Sequence, residues 1–371
     1  MRRLISDESG ATAIIVALLL VVLVGLTAFV VDVGDVMWER RMLQNGADAA
    51  ALAVAIDCAQ GDCKDFQGTA DDYATDNNVR GAFVQSVTGP DGGVPTFAGG
   101  SVTVVTRTGD NSGEGRLRQW FSGVLGREEG LATGATATAI WGVPDLTTSA
   151  SPLTISICSF QRLTGITNWP PTTADISGLP TWEDVRDGTA DPAGEQTIFY
   201  KDGPKQDELL DEACKAPPGF YSDPDAEEGE DDKLPAAFGW LDSTSCEVTV
   251  STELDGSQWA PATPGASAGG EVACIKDLVT QTPPVAVFPI FVGVREDNKG
   301  TPQEYQIVAP AAFYITGYRL PGGGQPTFPA GDAPCRANEG TCIRGQFVKK
   351  LDDGNPTDST SFGLLSVRLS E

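Results

Sequence analysis

Hydrophobic positions are distributed unevenly along this chain. Residues 11–31, ATAIIVALLLVVLVGLTAFVV, form an apolar run with no charge and no proline. At about 1.5 Å of rise per residue, a helix of that length reaches roughly 32 Å, enough to cross the hydrocarbon core of a bilayer. A buried helix of a soluble protein keeps a polar face, and here only Thr12 and Thr27 have polar side chains. A secretory signal has a shorter apolar core, whereas helix-forming sequence continues past this run without a turn signal. The pattern predicts one membrane-spanning helix. Its anchoring and packing positions are Ile14, Leu18, Val22, Gly25 and Phe29, with Asp32 at the outer end.

Beyond the span the pattern changes rather than stops. Val33, Val36, Met37, Leu43, Ala47, Ala50 and Val54 recur at helical spacings, which predicts one helix from about residue 6 to 58. Its first half is apolar all round and its second half amphipathic. The alanines of 47–55 allow close approach of another backbone, either the protein's own sheet or a second subunit. Gly61 can supply the positive φ that ends the helix.

Further on, 71–79 reads as helix or loop, 82–87 and 101–108 as strands, 116–126 as a short helix, and 131–143 as a strand. PDLTTSASP at 144–152 has the composition of a linker. After it, LTISICSF at 153–160 reads as a strand, a Pro/Gly/Thr/Asp-rich tract runs to about 195, and TIFYK at 197–201 reads as a strand. A helix is expected at 205–215, an acidic solvated loop at 223–233, and strands around 246–251, 285–294, 305–320, 343–351 and 362–371. The fold class is α+β: a long N-terminal helix packed on an antiparallel sheet, followed by a disulfide-containing, mainly β exterior. The division expected is a leader at 1–10, the span at 11–31, an α+β domain at 32–143, a linker at 144–152 and a β-rich domain at 153–371.

Charge and cysteines orient this layout. Arg2 and Arg3 precede the span, while Asp32, Asp35 and Glu39 follow it before Arg40 and Arg41, a bias that favours a cytoplasmic N-terminus. All eight cysteines lie after the span, as suits an oxidising compartment. Cys58–Cys63 and Cys335–Cys342 are local pairs that a turn can close. Cys246–Cys274 and Cys158–Cys214 remain by elimination and proximity. Residues 32–371 hold 23 basic and 49 acidic groups. That field repels phosphate backbones, so nucleic acid is not an expected partner; the lipid bilayer is.

No histidine is present. Its absence removes Ser-His-Asp and Cys-His catalysis and histidine-ligated metal sites, and no phosphate-binding glycine loop is found, although GGGQP at 322–326 offers glycines. The expectation is a protein that is not an enzyme and uses no cofactor or metal.

The stretch around the span carries a resemblance. Ser9-Gly10 before the apolar run, Asp32-Val33-Gly34 at its outer end, Leu43-Gln44-Asn45, and Ala47-Asp48-Ala49-Ala50-Ala51-Leu52-Ala53 resemble the N-terminal signature of TadE/TadG-like proteins of the Tad (Flp) pilus-assembly system. The resemblance covers roughly residues 6–56. It implies a membrane-anchored, pilin-like protein that helps to build or anchor pili, with other Tad subunits as partners through the N-terminal helix, and Gly34, Leu43, Gln44, Ala47, Asp48, Ala50 and Leu52 as the matched positions. Related prepilins are cut after a leader glycine and carry glutamate at the mature fifth position. If Gly10-Ala11 were that junction, the fifth residue would be Ile15, which favours a permanent anchor. Some TadG-like members hold a DxSxS metal site. The nearest string, Asp255-Gly256-Ser257-Gln258-Trp259, lacks the last serine.

The competing reading is a surface-anchored adhesin or ligand-binding module. In it Trp169, Trp182, Trp240 and Trp259, in Gly/Pro-rich surroundings, line a glycan site or another cell-envelope contact.

Overall fold

A computed structural model of the chain describes residues 9–78, 81–89, 100–109, 132–144, 151–191, 196–199, 238–248, 250–252, 257–263, 269–296, 301–320, 341–352, 356–357 and 361–370. Several expectations fall outside them: the leader before Ser9, the helices at 116–126 and 205–215, the acidic run at 223–233, the glycines of 322–326, and Cys214 and Cys335.

One helix, α1 (Ser9–Ala59), runs unbroken from the apolar span into the folded body. Its second half buries Leu43, Ala47, Ala50, Ala51, Val54, Ala55 and Cys58, a stripe at steps of one, three and four residues. The chain then turns at Gly61 (φ 90°) within the Cys58–Cys63 disulfide and forms α2 (Phe66–Asp76), which packs back along α1. Gly46 makes that approach possible, because a Cβ there would lie 3.0 Å from the Ala74 carbonyl oxygen.

The stripe lies on a first sheet of β1 (Ala82–Thr88), β2 (Gly100–Thr108) and β3 (Gly134–Pro144), joined by β14 (Lys350–Asp352), β15 (Pro356–Thr357) and β16 (Leu364–Leu369). The order is β1-β2-β3-β16-β14, with β15 beside β3. Strand alternation turns Val102, Val104, Ala135, Ala137 and Ala139 into the core. The opposite face carries threonines such as Thr103 and Thr138, whose hydroxyls lie 2.9 Å apart. The open edge of β1 is covered by α2, where Asp71 Oδ1 accepts the Val84 N–H at 3.2 Å. A charged cap on an edge strand blocks further strand pairing.

The second sheet follows the order β5-β13-β12-β11-β4-β6, from β4 (Leu153–Ser156), β5 (Gln196–Phe199), β6 (Phe238–Trp240), β11 (Val285–Glu296), β12 (Pro302–Arg319) and β13 (Cys342–Val348). Two short strands, β9 (Ser251–Thr252) and β10 (Gln258–Pro261), extend it beside β12. Strands β7 (Ser243–Thr244) and β8 (Glu247–Val248) form a hairpin whose turn, Ser245-Cys246, has positive φ and presents Cys246 to Cys274 in a disulfide. Cys274 lies on a helix, α6 (Gly269–Leu278), which the Gly/Ala/Ser/Pro composition before it does not foretell.

Two readings of 153–195 are corrected. The stretch 153–160 is not one strand: β4 ends at Ser156, whose Oγ accepts the Cys158 N–H, and α3 (Ile157–Thr164) begins there and stops at Gly165 (φ 73°). The Pro/Gly-rich tract holds α4 (Thr173–Ser177) and α5 (Trp182–Asp187), the latter opened by a capping box between Thr181 and Asp184. Cys158 and Cys342 are disulfide-bonded, with partners outside the described residues.

The two sheets share one apolar core. At its centre Phe160 of α3 packs edge-on against Phe347 and Phe362, each with centroids 4.9 Å away, and Phe347 meets Phe313 at 5.0 Å. Phe362 immediately precedes the strand that returns to the first sheet, so this cluster ties that return to the second sheet.

Candidate functional site

The candidate site is α1 itself, because its two halves meet opposite environments. Ile14, Leu18, Val22, Phe29 and Val30 are all more than half exposed, and the most apolar part of the helix, of mean hydropathy 3.2, buries nothing against the protein. An apolar surface of that extent, exposed around a whole helix, marks a membrane or interaction surface. Its length and composition suit a bilayer crossing. Thr27, a polar side chain within it, donates its hydroxyl to the Leu23 carbonyl at 2.8 Å, so this group is satisfied within the helix as an apolar surrounding requires. Gly25 and Gly34 have open space where a Cβ would stand. At the C-terminal end of this apolar half Asp32 is half-buried.

The positions that carry the resemblance divide along the same helix. Leu43, Ala47 and Ala50 are fully buried in the core, and Leu52 is partly buried against it. Gln44 and Asp48 sit one turn apart, with Gln44 Nε2 donating to Asp48 Oδ1 at 2.8 Å and to the Thr136 carbonyl at 3.2 Å. Gln44 therefore links the helix to β3, and Asp48 holds the amide in place. From the sheet side, Thr106 Oγ1 donates to the Leu43 carbonyl at 3.1 Å. Gly10 and Ala11 lie in the first turn of α1.

Sequence reasoning missed Glu39. It reads as a flanking charge, yet it is completely buried, with Oε1 accepting from Asn78 Nδ2 at 3.0 Å and Oε2 meeting no hydrogen-bond donor. The signal was present in the period: Glu39 lies four residues before Leu43, on the line that continues through Ala47 and Ala50. This pair fastens the foot of the folded body to α1 just beyond the span. Replacing Asn78 by alanine leaves the buried carboxyl without that donor and is expected to cost about 1–3 kcal/mol. The check is the urea midpoint of the full chain in detergent, where Glu39→Gln should lose less than Asn78→Ala.

The far end of α1 is also held. Lys349, between β13 and β14, donates from Nζ to the Gln60 carbonyl at 3.0 Å and to the Ser177 carbonyl at 2.9 Å. Burial pushes its ammonium below the usual lysine range, against the favourable charge of Asp184.

The four tryptophans do not line a common site. Trp240 and Trp259 are core residues, Trp169 packs on Phe362 at 5.9 Å, and Trp182 lies against the outer face of the second sheet beneath Arg186. Trp259 is further covered by Arg295, 3.7 Å from its ring centroid and paired with Glu304 at 2.9 Å. Large aromatic area is more stable inside than on a loop-rich surface. Among the described residues no group of three or more acidic or cysteine side chains is placed to hold a metal.

No curated protein and no solved structure matches the chain. Residues 10–57, which contain the exposed half of α1 and nearly all of its buried half, match the Tad family, described as "Putative Flp pilus-assembly TadE/G-like", and the chain thus carries a TadE/G-like N-terminal helix.

Proposed function

We propose that this protein is a membrane-anchored structural component of a Tad (Flp)-type pilus apparatus, working by assembly and without turnover. The observation that carries the reading is the continuity of α1, exposed and apolar along its first half and the core helix of an α+β body along its second. The helix packs in the bilayer against other Tad subunits through positions such as Ile14, Leu18, Val22, Gly25 and Phe29. The body is an α+β unit formed on α1, followed by a disulfide-containing β-rich unit that donates its last strand to the first sheet.

In this reading the N-terminus is cytoplasmic and the bulk lies outside the cytoplasm. The basic residues before the span, the acids after it and the disulfides of the body support that orientation. Protease added to intact spheroplasts should digest the body and leave the span. Loss of the gene should reduce surface pili; pili in undiminished number would end the assembly reading, and a protected body would end the orientation. The mass of the N-terminus, with and without an active prepilin peptidase, then assigns the place. A chain that begins at Ala11 enters a filament, and one that keeps Arg2 and Arg3 stays as a platform.

A further inference from the structure

Beside the C-terminal end of α3, a cleft of about 710 Å³ opens between α3, the chain on either side of α5, and β13. Its volume falls within the range of roughly 300–1,000 Å³ typical of small-ligand sites. Part of its wall is the edge of β13. β5 pairs with β13 only over Cys342–Gly345, and beyond that the Lys349 N–H is taken by the Pro180 carbonyl. Between these contacts, Gln346 to Val348 have no strand partner on that edge among the described residues.

The cleft is lined by Leu163 and Leu179 on its apolar side and by Asp184, Thr189, Asp191 and Gln346 on its polar side. Gln346 points to a ligand. It is only 8% exposed, it lines the cleft, and its amide makes no hydrogen bond with any described residue. Its amide atoms are not shut off from solvent, so their donors and acceptor face the cleft and can bond water or a ligand there.

The carboxylates narrow the chemistry. Asp184 Oδ2 accepts from the Thr181 backbone N–H at 2.9 Å and from its hydroxyl at 2.8 Å, and Oδ1 accepts from the Thr189 hydroxyl at 3.3 Å. These bonds, the backbone one foremost, hold its carboxyl below the usual range, so its charge is already engaged in the loop. Asp191 has contacts of its own. No lysine or arginine lines the cleft among the described residues, which disfavours an anion. The remaining features are an amide that donates and accepts, acceptor oxygens, and an apolar wall. A sugar ring presents the complement: hydroxyls that donate and accept around its rim, and an apolar C–H face.

We propose that this cleft binds a neutral sugar unit, a hexose or N-acetylhexosamine, through the Gln346 amide with its ring against Leu163 and Leu179. That the sugar belongs to a cell-surface polysaccharide rests on the outward orientation proposed above; the binding itself does not.

The test is saturation-transfer NMR on the full chain in a zwitterionic detergent, since maltoside headgroups would compete. The probes are glucose, galactose, mannose, N-acetylglucosamine and their β-1,4-linked dimers, with spermidine as the cationic control. Gln346→Leu removes the amide at similar volume, and Ala190→Trp fills the cleft from its rim. Transfer to at least one sugar, reduced tenfold or more in both variants at an unchanged melting temperature, is the expected result. If Gln346→Leu fails to fold, Ala190→Trp alone decides. No transfer to any sugar, equal transfer in the cleft-blocked protein, or binding of spermidine alone would each overturn the proposal.

Discussion

Phe160→Ala is expected to destabilise the folded body by about 3–5 kcal/mol, the usual cost of removing a buried phenylalanine without collapse of the space it leaves. Collapse is restricted here. Phe160 is fully buried and touches Phe347 of β13 and Phe362 ahead of β16, with ring planes 68° and 73° from its own. Edge-on aromatic pairs add about 0.5–1.5 kcal/mol each beyond the area they bury. Neither partner can move into the gap alone, because Phe347 is also set against Phe313 and the segment at Phe362 continues into a paired strand. The measurement is the urea midpoint of the full chain, followed by circular dichroism in detergent. Phe160→Leu should recover about half of the loss, since it restores volume without the ring geometry. A midpoint for Phe160→Ala within error of the parent protein would show that the cluster does not join the two sheets energetically.

The consequence reaches the anchor. Phe362 leads into β16, which pairs with β3 from Ser366–Gly142 to Leu369–Ala139, and β3 in turn lies on α1. A cavity at Phe160 therefore weakens the sheet on which the membrane helix rests, although α3 does not belong to that sheet. Stability of the second sheet and seating of α1 are expected to fall together rather than in two separate transitions.

Local pattern carried much of this architecture. The span and its continuation were readable because one unbroken helix keeps one period, and a run of all-apolar turns followed by a stripe has few other solutions. Strands β1, β2, β3, β11, β12, β13 and β16 were readable from apolar or alternating runs of β-branched and aromatic residues. The errors came where local and tertiary preferences compete. Ile157, Cys158 and Phe160 favour strand by type, yet Ser156 caps a helix and Gly165 closes it. At α5 the apolar content is too low for a periodic signal, and the local signs of a helix are confined to Thr181, Asp184 and the left-handed Gly188.

Non-local features were not readable at all. That the last strand of the chain joins a sheet begun at Ala82 depends on which edge of β3 is open, and nothing near residue 366 records it. The cleft at Gln346 is of the same kind: its walls come from α3, the flanks of α5 and β13, and each looks ordinary by itself. Glu39 stands between these cases. Its register was legible in the helical period, but burial of a carboxyl is so unfavourable that only its Asn78 donor makes the position intelligible.

Arginine at both position 19 and position 22 is expected to release the protein from the membrane while the folded body stays intact. On insertion scales, an arginine at the centre of a spanning helix costs about 2.5–3.5 kcal/mol, whereas each leucine, isoleucine, valine or phenylalanine contributes only about 0.3–0.6. Two arginines thus cost about 5–7 kcal/mol and roughly cancel the apolar residues that remain between Ala11 and Val31. Leu19 and Val22 are exposed, and the folded core of α1 begins well beyond them at Glu39 and Leu43. Packing of the body does not depend on them, and helix propensity is little changed because arginine is a good helix former. The double variant Leu19→Arg/Val22→Arg should move from the carbonate-resistant membrane pellet to the soluble fraction, with Cys58–Cys63 oxidised wherever the body still reaches an oxidising compartment. Retention in the pellet at the parent level would mean that residues 11–31 do not anchor the chain. Loss of the body's urea transition would mean that this half of α1 is a buried core helix whose cover comes from another subunit, and the lipid-facing reading would then give way to a packed one.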